Sequence, residues 1–258
     1  MNYMDIRRAF AERGDAVRKL KDRLFHWLKD LEQGYGPVDW NTAPALYLYI
    51  ASIPSFDAGL VRIFGPEDRA RVGSLKAMLS SARPGFSANG LLVSQMNNKC
   101  RYFALLTPEG ELLHGAGPLL ACRIAGESRN PYILVHDVEK VVISTLSANI
   151  SRLAMLDFGP PYYVALALRR AASYMLVDEG AIDPPRESSA RPVRHPFLLF
   201  DQILIEEDVH IIGQRIGHQS REVQERIWRE QAARLKPILD RLYQAAGAEQ
   251  SPIAHALD

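Results

Sequence analysis

Nine consecutive residues, Ala45 to Ile53, read ALYLYIASI and are bracketed by Pro44 and Pro54. The run is apolar, aromatic and β-branched, and the prolines bound it at strand length, so it is expected to form a buried strand. Tyr47 and Tyr49 share one of its faces by the period of two. With Tyr162, Tyr163 and Tyr174 they invite comparison with base-stacking platforms, but packing within a sheet is the preferred reading.

Further strand-length segments cluster in the middle of the chain. Leu91–Met96, Arg101–Thr107, Glu111–His114 and Leu119–Ile124 are short β segments. Asn97-Asn98-Lys99 and Pro108-Glu109-Gly110 supply residues that hairpin turns need. Sequential hairpins predict antiparallel pairing. Tyr162–Arg169 and Ser173–Val177 read as another hairpin joined at Arg170, and Phe197–Glu206 as a further strand.

Helical spacing occupies the rest. Asp15 is expected to cap a helix carrying Val17, Leu20, Leu24, Leu28 and Leu31, with a shorter helix upstream near Asp5–Glu12. The segment Gly34-Tyr35-Gly36-Pro37 ends it. Pro66-Glu67-Asp68 opens a helix expected to reach about Ser80. A long helix is predicted over Asp137–Asp157, with Asp137 at its cap and Gly159-Pro160-Pro161 as its stop. A closing helix spans Ser220 to about Ala246, and Pro237 should break it near Ala233. Ala82–Gly90 and Glu179–Arg194 are expected to be loops, while no element is assigned to 208–219.

Strands are grouped instead of alternating with helices. The expected fold class is therefore α+β, a mostly antiparallel sheet packed by a long central helix and a C-terminal helix. An N-terminal helical segment covers 1–40 and an α+β domain covers 41–258, with a change of period near 126–132 marking a subdivision.

Composition limits the function. Lys plus Arg is 31 against 30 acids, a net charge of +1. Nucleic-acid binding therefore gains no support from net charge, although a local patch is compatible with it. Cys100 and Cys122 are too few for a disulfide framework and read as reduced thiols of a cytoplasmic protein. No signal peptide or membrane-length apolar run is recognised.

Familiar reaction motifs are missing. There is no P-loop, no dinucleotide fingerprint, no nucleophile elbow and no His-x-x-x-His pair. His136-Asp137 reads as helix capping before catalysis. His210 and His218 are too widely spaced for a typical zinc site. Glu206-Glu207-Asp208 reads as a solvated strand end. No catalytic residue, metal ligand or cofactor is assigned. The speculative contacts for an anionic ligand are Arg83, Asn89, Arg169 and Arg170, from a Gly- and Pro-containing loop and a strand end. Arg191 and Arg194 could extend a basic patch, though a solvated hairpin rim is preferred.

Several segments together resemble a known family. MDIRRAF, DRL, PVDW and ALYLYIASIPSFD, then LDFGPPYYVALALRRAASYMLV, FLLFDQILIE and LKPILDRLYQAAG, resemble the body region of bacterial AlbA_2 (Schlafen-like) DNA-binding proteins. The similarity runs over nearly the whole chain in short degenerate pieces. The AlbA_2 domain itself and the acidic nuclease cluster of Schlafen proteins have no counterpart in these residues, so such a domain is expected to be lost or separately encoded. The resemblance implies a cytoplasmic bacterial regulatory or defence-type protein whose body senses or docks.

The leading expectation is thus a non-catalytic regulatory or protein-interaction module, with a protein partner or self-association and no membrane. The alternatives are a small-molecule or nucleotide sensor, a weak nucleic-acid-associated protein and an unrecognised hydrolase.

Overall fold

The computed structural model describes residues 3–40, 44–73, 75–77, 80–82, 84–97, 99–117, 121–122, 132–172, 174–177, 191–194, 197–214, 220–247, 249 and 251. The fold is α+β. Its centre is β1 (Ala45–Ser52), buried at all eight positions. On one side β1 pairs antiparallel with β10 (Tyr162–Arg169), which pairs with the edge strand β13 (Phe197–Leu204). On the other side follow β7 (Glu111–Ala116), β6 (Lys99–Leu106), β5 (Gly90–Asn97) and β4 (Gly85–Ser87). All six pairings in this seven-stranded sheet are antiparallel.

Both faces of β1 are covered, which explains its continuous apolar run. Tyr47, Tyr49 and Ala51 belong to one core with Leu20, Leu24, Leu28 and Leu31 of α1 (Tyr3–Gln33). Leu46, Leu48 and Ile50 face a second core with α4 (Val135–Met155). Three further helices join that second layer. They are α5 (Glu206–Ile212), α6 (Arg221–Arg234) and α7 (Lys236–Ala245). The described residues thus layer as helix, sheet, helices, with a core on each face of the large sheet.

The α1 helix passes through Gly14 and Asp15 without a break. Gly costs only about 1 kcal/mol in a helix. Each leucine buried on the sheet returns roughly 1.5–3 kcal/mol, so the expected boundary at Asp15 does not form. Asp15 instead pairs with Arg18 at 2.9 Å. Under this helix Glu111 is fully buried, with Arg23 Nε at 2.6 Å and the Trp27 indole N–H donating at 3.2 Å. Burial pushes the Glu111 carboxyl up, and Arg23 offsets part of that rise.

Other boundaries also shift. The helix at Pro66 is α3 (Pro66–Val72), stopped by Gly73 at φ +65°, well short of Ser80. Two short strands follow it, β2 (Leu75–Ala77) and β3 (Ser80–Ala82). The expected loop before Gly90 is partly β4, hairpinned to β5. Gly90 has φ +130°, and a Cβ there would fall on the Leu106 carbonyl. Helix α2 (Ile53–Asp57) follows β1 directly, capped by Ser52.

The long helix starts at Val135, earlier than a cap at Asp137 would place it. Strand β9 (Tyr132–Leu134) runs straight into α4, and Leu134 is the N-cap with no side-chain bond. Strand β11 (Met175–Val177) does not return onto β10 as a hairpin. It pairs parallel with β9 in a separate small sheet that also holds β8 (Ala121–Cys122) and β12 (Arg191–Pro192). Glu206–Asp208 form the first turn of α5 instead of a strand end, and Asp208 accepts from the Ile205 N–H. Pro237 does divide the closing helix, at Leu235. Residues 126–131 and most of 179–194 lie outside the described residues.

Candidate functional groove between α4 and α6

Helix α4 turns its apolar stripe to the sheet and leaves His136, Lys140, Ser144, Ser147, Ala148 and Arg152 along its outer side, at three- and four-residue spacing. Helix α6 lies beside this row. Its sequence is rich in charge, and its apolar residues are Val223, the buried Ile227, the half-buried Trp228 and two alanines. Trp228 packs its inner edge on the core. Its remaining surface lines three adjoining cavities of about 630, 450 and 360 Å³.

At one end the walls are His136, Lys140, Arg221, Gln224, Glu225 and Arg229. Lys140, Val141 and Ser144 wall the middle. The other end is closed by Lys76, Ser147, Ala148, Arg152 and Gln231. Glu225 is the one acid among these described lining residues, and Arg221 already pairs with it at 3.1 Å. Lys76, Lys140 and Arg229 form no ion pair with any described residue. The groove therefore carries a local cation excess in a nearly neutral molecule. α6 begins at this first end, with Ser220 capping the Val223 N–H, so its helix dipole adds to the positive field.

The Lys76 end is held rigidly by a buried amide. Asn149 accepts from the Lys76 N–H at 3.1 Å and donates to the Lys76 carbonyl at 2.7 Å, pinning β2 to α4. It also donates to the Thr145 carbonyl and accepts from Arg152 at 3.3 Å. Arg152 in turn donates to the Val72 carbonyl. Burial, and then the adjacent Arg152 guanidinium, hold the Lys76 ammonium below the usual lysine range. Two cations placed together in a half-buried corner gain from an anion brought between them. Gln231 completes the corner. Its amide N–H groups reach Ser147 Oγ and the carbonyls of Ile212 and Gln214, while its buried Oε1 has no partner.

Behind this corner lies His114 on β7, fully buried between sheet and α4. Burial pushes its imidazole down to about 3. Its Nε2 is 3.5 Å from Asn149 Nδ2, and its Nδ1 has no hydrogen-bond partner. At the opposite end of the groove Glu139 is fully buried. It accepts from the Tyr243 and Ser251 hydroxyls at 2.8 and 2.7 Å, with His136 Nδ1 at 3.6 Å. His136 therefore faces Glu139 on its own helix.

Of the residues expected from sequence to hold an anion, Asn89 lies far from Arg169 and Arg170. Arg83 lies outside the described residues. Asn89 is exposed in the β4–β5 turn, five strand positions from β10, or about 24 Å at the usual spacing. Arg169 donates to Glu32 at 2.8 Å and stacks on Phe197, while Arg170, at φ +54°, lies 3.7 Å from the same carboxylate. Both arginines thus clamp α1 to the end of β10. His210 is exposed at the end of α5, and His218 lies outside the described residues. Among the described residues no three His, Cys, Asp or Glu side chains gather as a metal site would require. No helix among them is long and apolar enough to cross a membrane.

The groove escapes a sequence reading because its cations come from three separate elements. A signal was present nonetheless in Trp228, a large ring set among the charges of REVQERIWREQAAR. A second signal was the pair of cations, Lys140 and Arg152, separated on α4 by the small residues Ser144, Ser147 and Ala148. Comparisons with protein-family models, with curated proteins and with solved structures find no match to this chain.

Proposed function

We propose that this protein is a non-catalytic sensor module that takes an anionic ligand bearing a planar ring, of the nucleotide class, in the α4–α6 groove. The observation that carries the reading is Trp228, half-buried between Lys140 and Arg229 on one side and Lys76 on the other, three cations that form no ion pair with any described residue. An indole face stacks a flat ring, and guanidinium and ammonium groups hold phosphate oxygens. A sensor of this kind suits the regulatory setting that the AlbA_2 resemblance implies.

Thermal-shift and tryptophan-fluorescence titrations with mono-, di- and triphosphate nucleosides test the reading. A ligand at about a hundred times its dissociation constant adds about 2.7 kcal/mol of stability, which is several degrees in Tm for a chain of this size. The shift should vanish in Trp228→Ala and Arg152→Ala. No shift with any nucleotide at millimolar concentration removes the reading.

A second reading, self-association, is favoured by a different feature. Leu60, Val61 and Ile63 are 52%, 66% and 91% exposed in the loop after α2. Adjacent exposed apolar side chains favour a partner surface. Light scattering on the wild type and on Ile63→Asp decides it, with a dimer that dissociates in the variant as the supporting result.

A further inference from the structure

We propose that this protein also binds a small apolar carboxylate, in a cavity between the small sheet and the end of α7. The site is separate from the α4–α6 groove and does not rest on the reading of that groove.

The cavity measures about 450 Å³. Its apolar walls include Leu176 of β11, Val193 just after β12, Leu198 of β13 and Ala245 of α7. Arg194 and Gln244 are the polar side chains of its lining, and both are exposed, so they mark its mouth. No acid stands among the described lining residues, and Arg194 forms no ion pair with any described residue.

The walls are fixed in place. Leu176 sits in the small sheet between Ile133 of β9 and Arg191 of β12. The Val193 N–H donates to the Tyr174 carbonyl at 3.0 Å. Beyond α7 the chain turns through Gly247, at φ +91°, and is tied back. Gln244 Nε2 donates to the Glu249 carbonyl at 3.2 Å, the Ser251 N–H to Asp240 at 2.9 Å, and the Ser251 hydroxyl to the buried Glu139 at 2.7 Å. These bonds hold the space open before a ligand arrives, which lowers the cost of binding.

The lining selects the ligand. Apolar walls gain from burying hydrocarbon, and a guanidinium at the mouth pairs with a carboxylate through two parallel hydrogen bonds. A dianion such as a phosphate monoester is disfavoured, because α7 ends at the cavity and a helix C-terminus carries about half a negative charge. The single charge of Arg194 outweighs that repulsion for a monoanion only. At about 30 Å³ per water-sized group the cavity has room for about fifteen such groups, or about eight to ten chain atoms once packing gaps are left.

Calorimetric titration of the full chain with even-numbered straight-chain acids from butanoate to dodecanoate, beside octanol and octylamine, tests the proposal. Affinity should rise about threefold to fourfold per methylene, the equivalent of about 0.8 kcal/mol, and level off near decanoate. Octanoate should bind about tenfold more tightly than octanol or octylamine. Arg194→Gln, a change at an exposed side chain, should erase that preference and leave octanol binding unchanged. Ala245→Phe should occupy much of the cavity and weaken octanoate at least tenfold; if that variant does not fold, Arg194→Gln decides alone. Ile63→Asp, which alters the exposed apolar loop after α2, should bind octanoate as the wild type does. Equal affinity for octanoate and octanol in the wild type would overturn the proposal. So would undiminished octanoate binding in folded Ala245→Phe, its loss in Ile63→Asp, or no binding of any acid at millimolar concentration. Nucleotide-induced shifts should be the same in Arg194→Gln as in the wild type, so the two sites stand or fall separately.

Discussion

His114 and Asn149 show how single buried polar groups set the properties of the groove. His114 is held at about 3 by burial, whereas a histidine in an unfolded chain titrates near 6.5. Between those values the unfolded chain takes up a proton that the folded chain refuses, so stability falls as pH drops from about 6.5 towards 3. At pH 4.5 the loss from this one group is on the order of 2–3 kcal/mol. Denaturant titrations at pH 7 and 4.5 should therefore show the wild type losing more stability than His114→Leu by that amount. Parallel losses would mean that His114 does not titrate on unfolding. Asn149 makes five polar contacts at zero exposure. Replacing it with alanine leaves backbone groups of Lys76 and Thr145 without their partner and should cost about 2–4 kcal/mol. The same change should weaken nucleotide binding, because Lys76 and Arg152 lose their common anchor.

At the level of elements, the α1 helix supplies a whole core. Leu24 and Leu28 are fully buried against the sheet. Leu28→Ala should cost about 2–5 kcal/mol by urea titration, and ligand affinity should stay unchanged because the groove lies beyond the sheet. Legibility in the sequence followed element length. β1, α1 and the break at Pro237 are visible because a run of eight or more residues, or a proline, leaves a periodic or steric mark. β2, β3 and β4 have three residues each, too few for alternation to register. The start of α4 shifted because a strand feeds it directly and Leu134 gives no capping signal. The β10–β11 hairpin failed for a different reason. Strand β11 is claimed by β9, a parallel partner some forty residues earlier, and pairing across that distance has no local signature. Arg169 and Arg170 were legible as cations, yet their partner Glu32 is more than a hundred residues away.

For the whole molecule, charge is balanced at +1, so long-range attraction to an anionic ligand is weak and binding depends on the groove itself. Nucleotide affinity should therefore fall with salt only through the few cations of the groove, and fluorescence titration between about 50 and 300 mM salt gives the measurement; a steep loss would indicate contacts outside the groove. The layering has one practical result. α1 and the α4–α6 groove occupy opposite sides of the sheet, so a bead, chip or fused reporter fastened through the amino end would sit behind the molecule and leave the mouth of the groove open to solution.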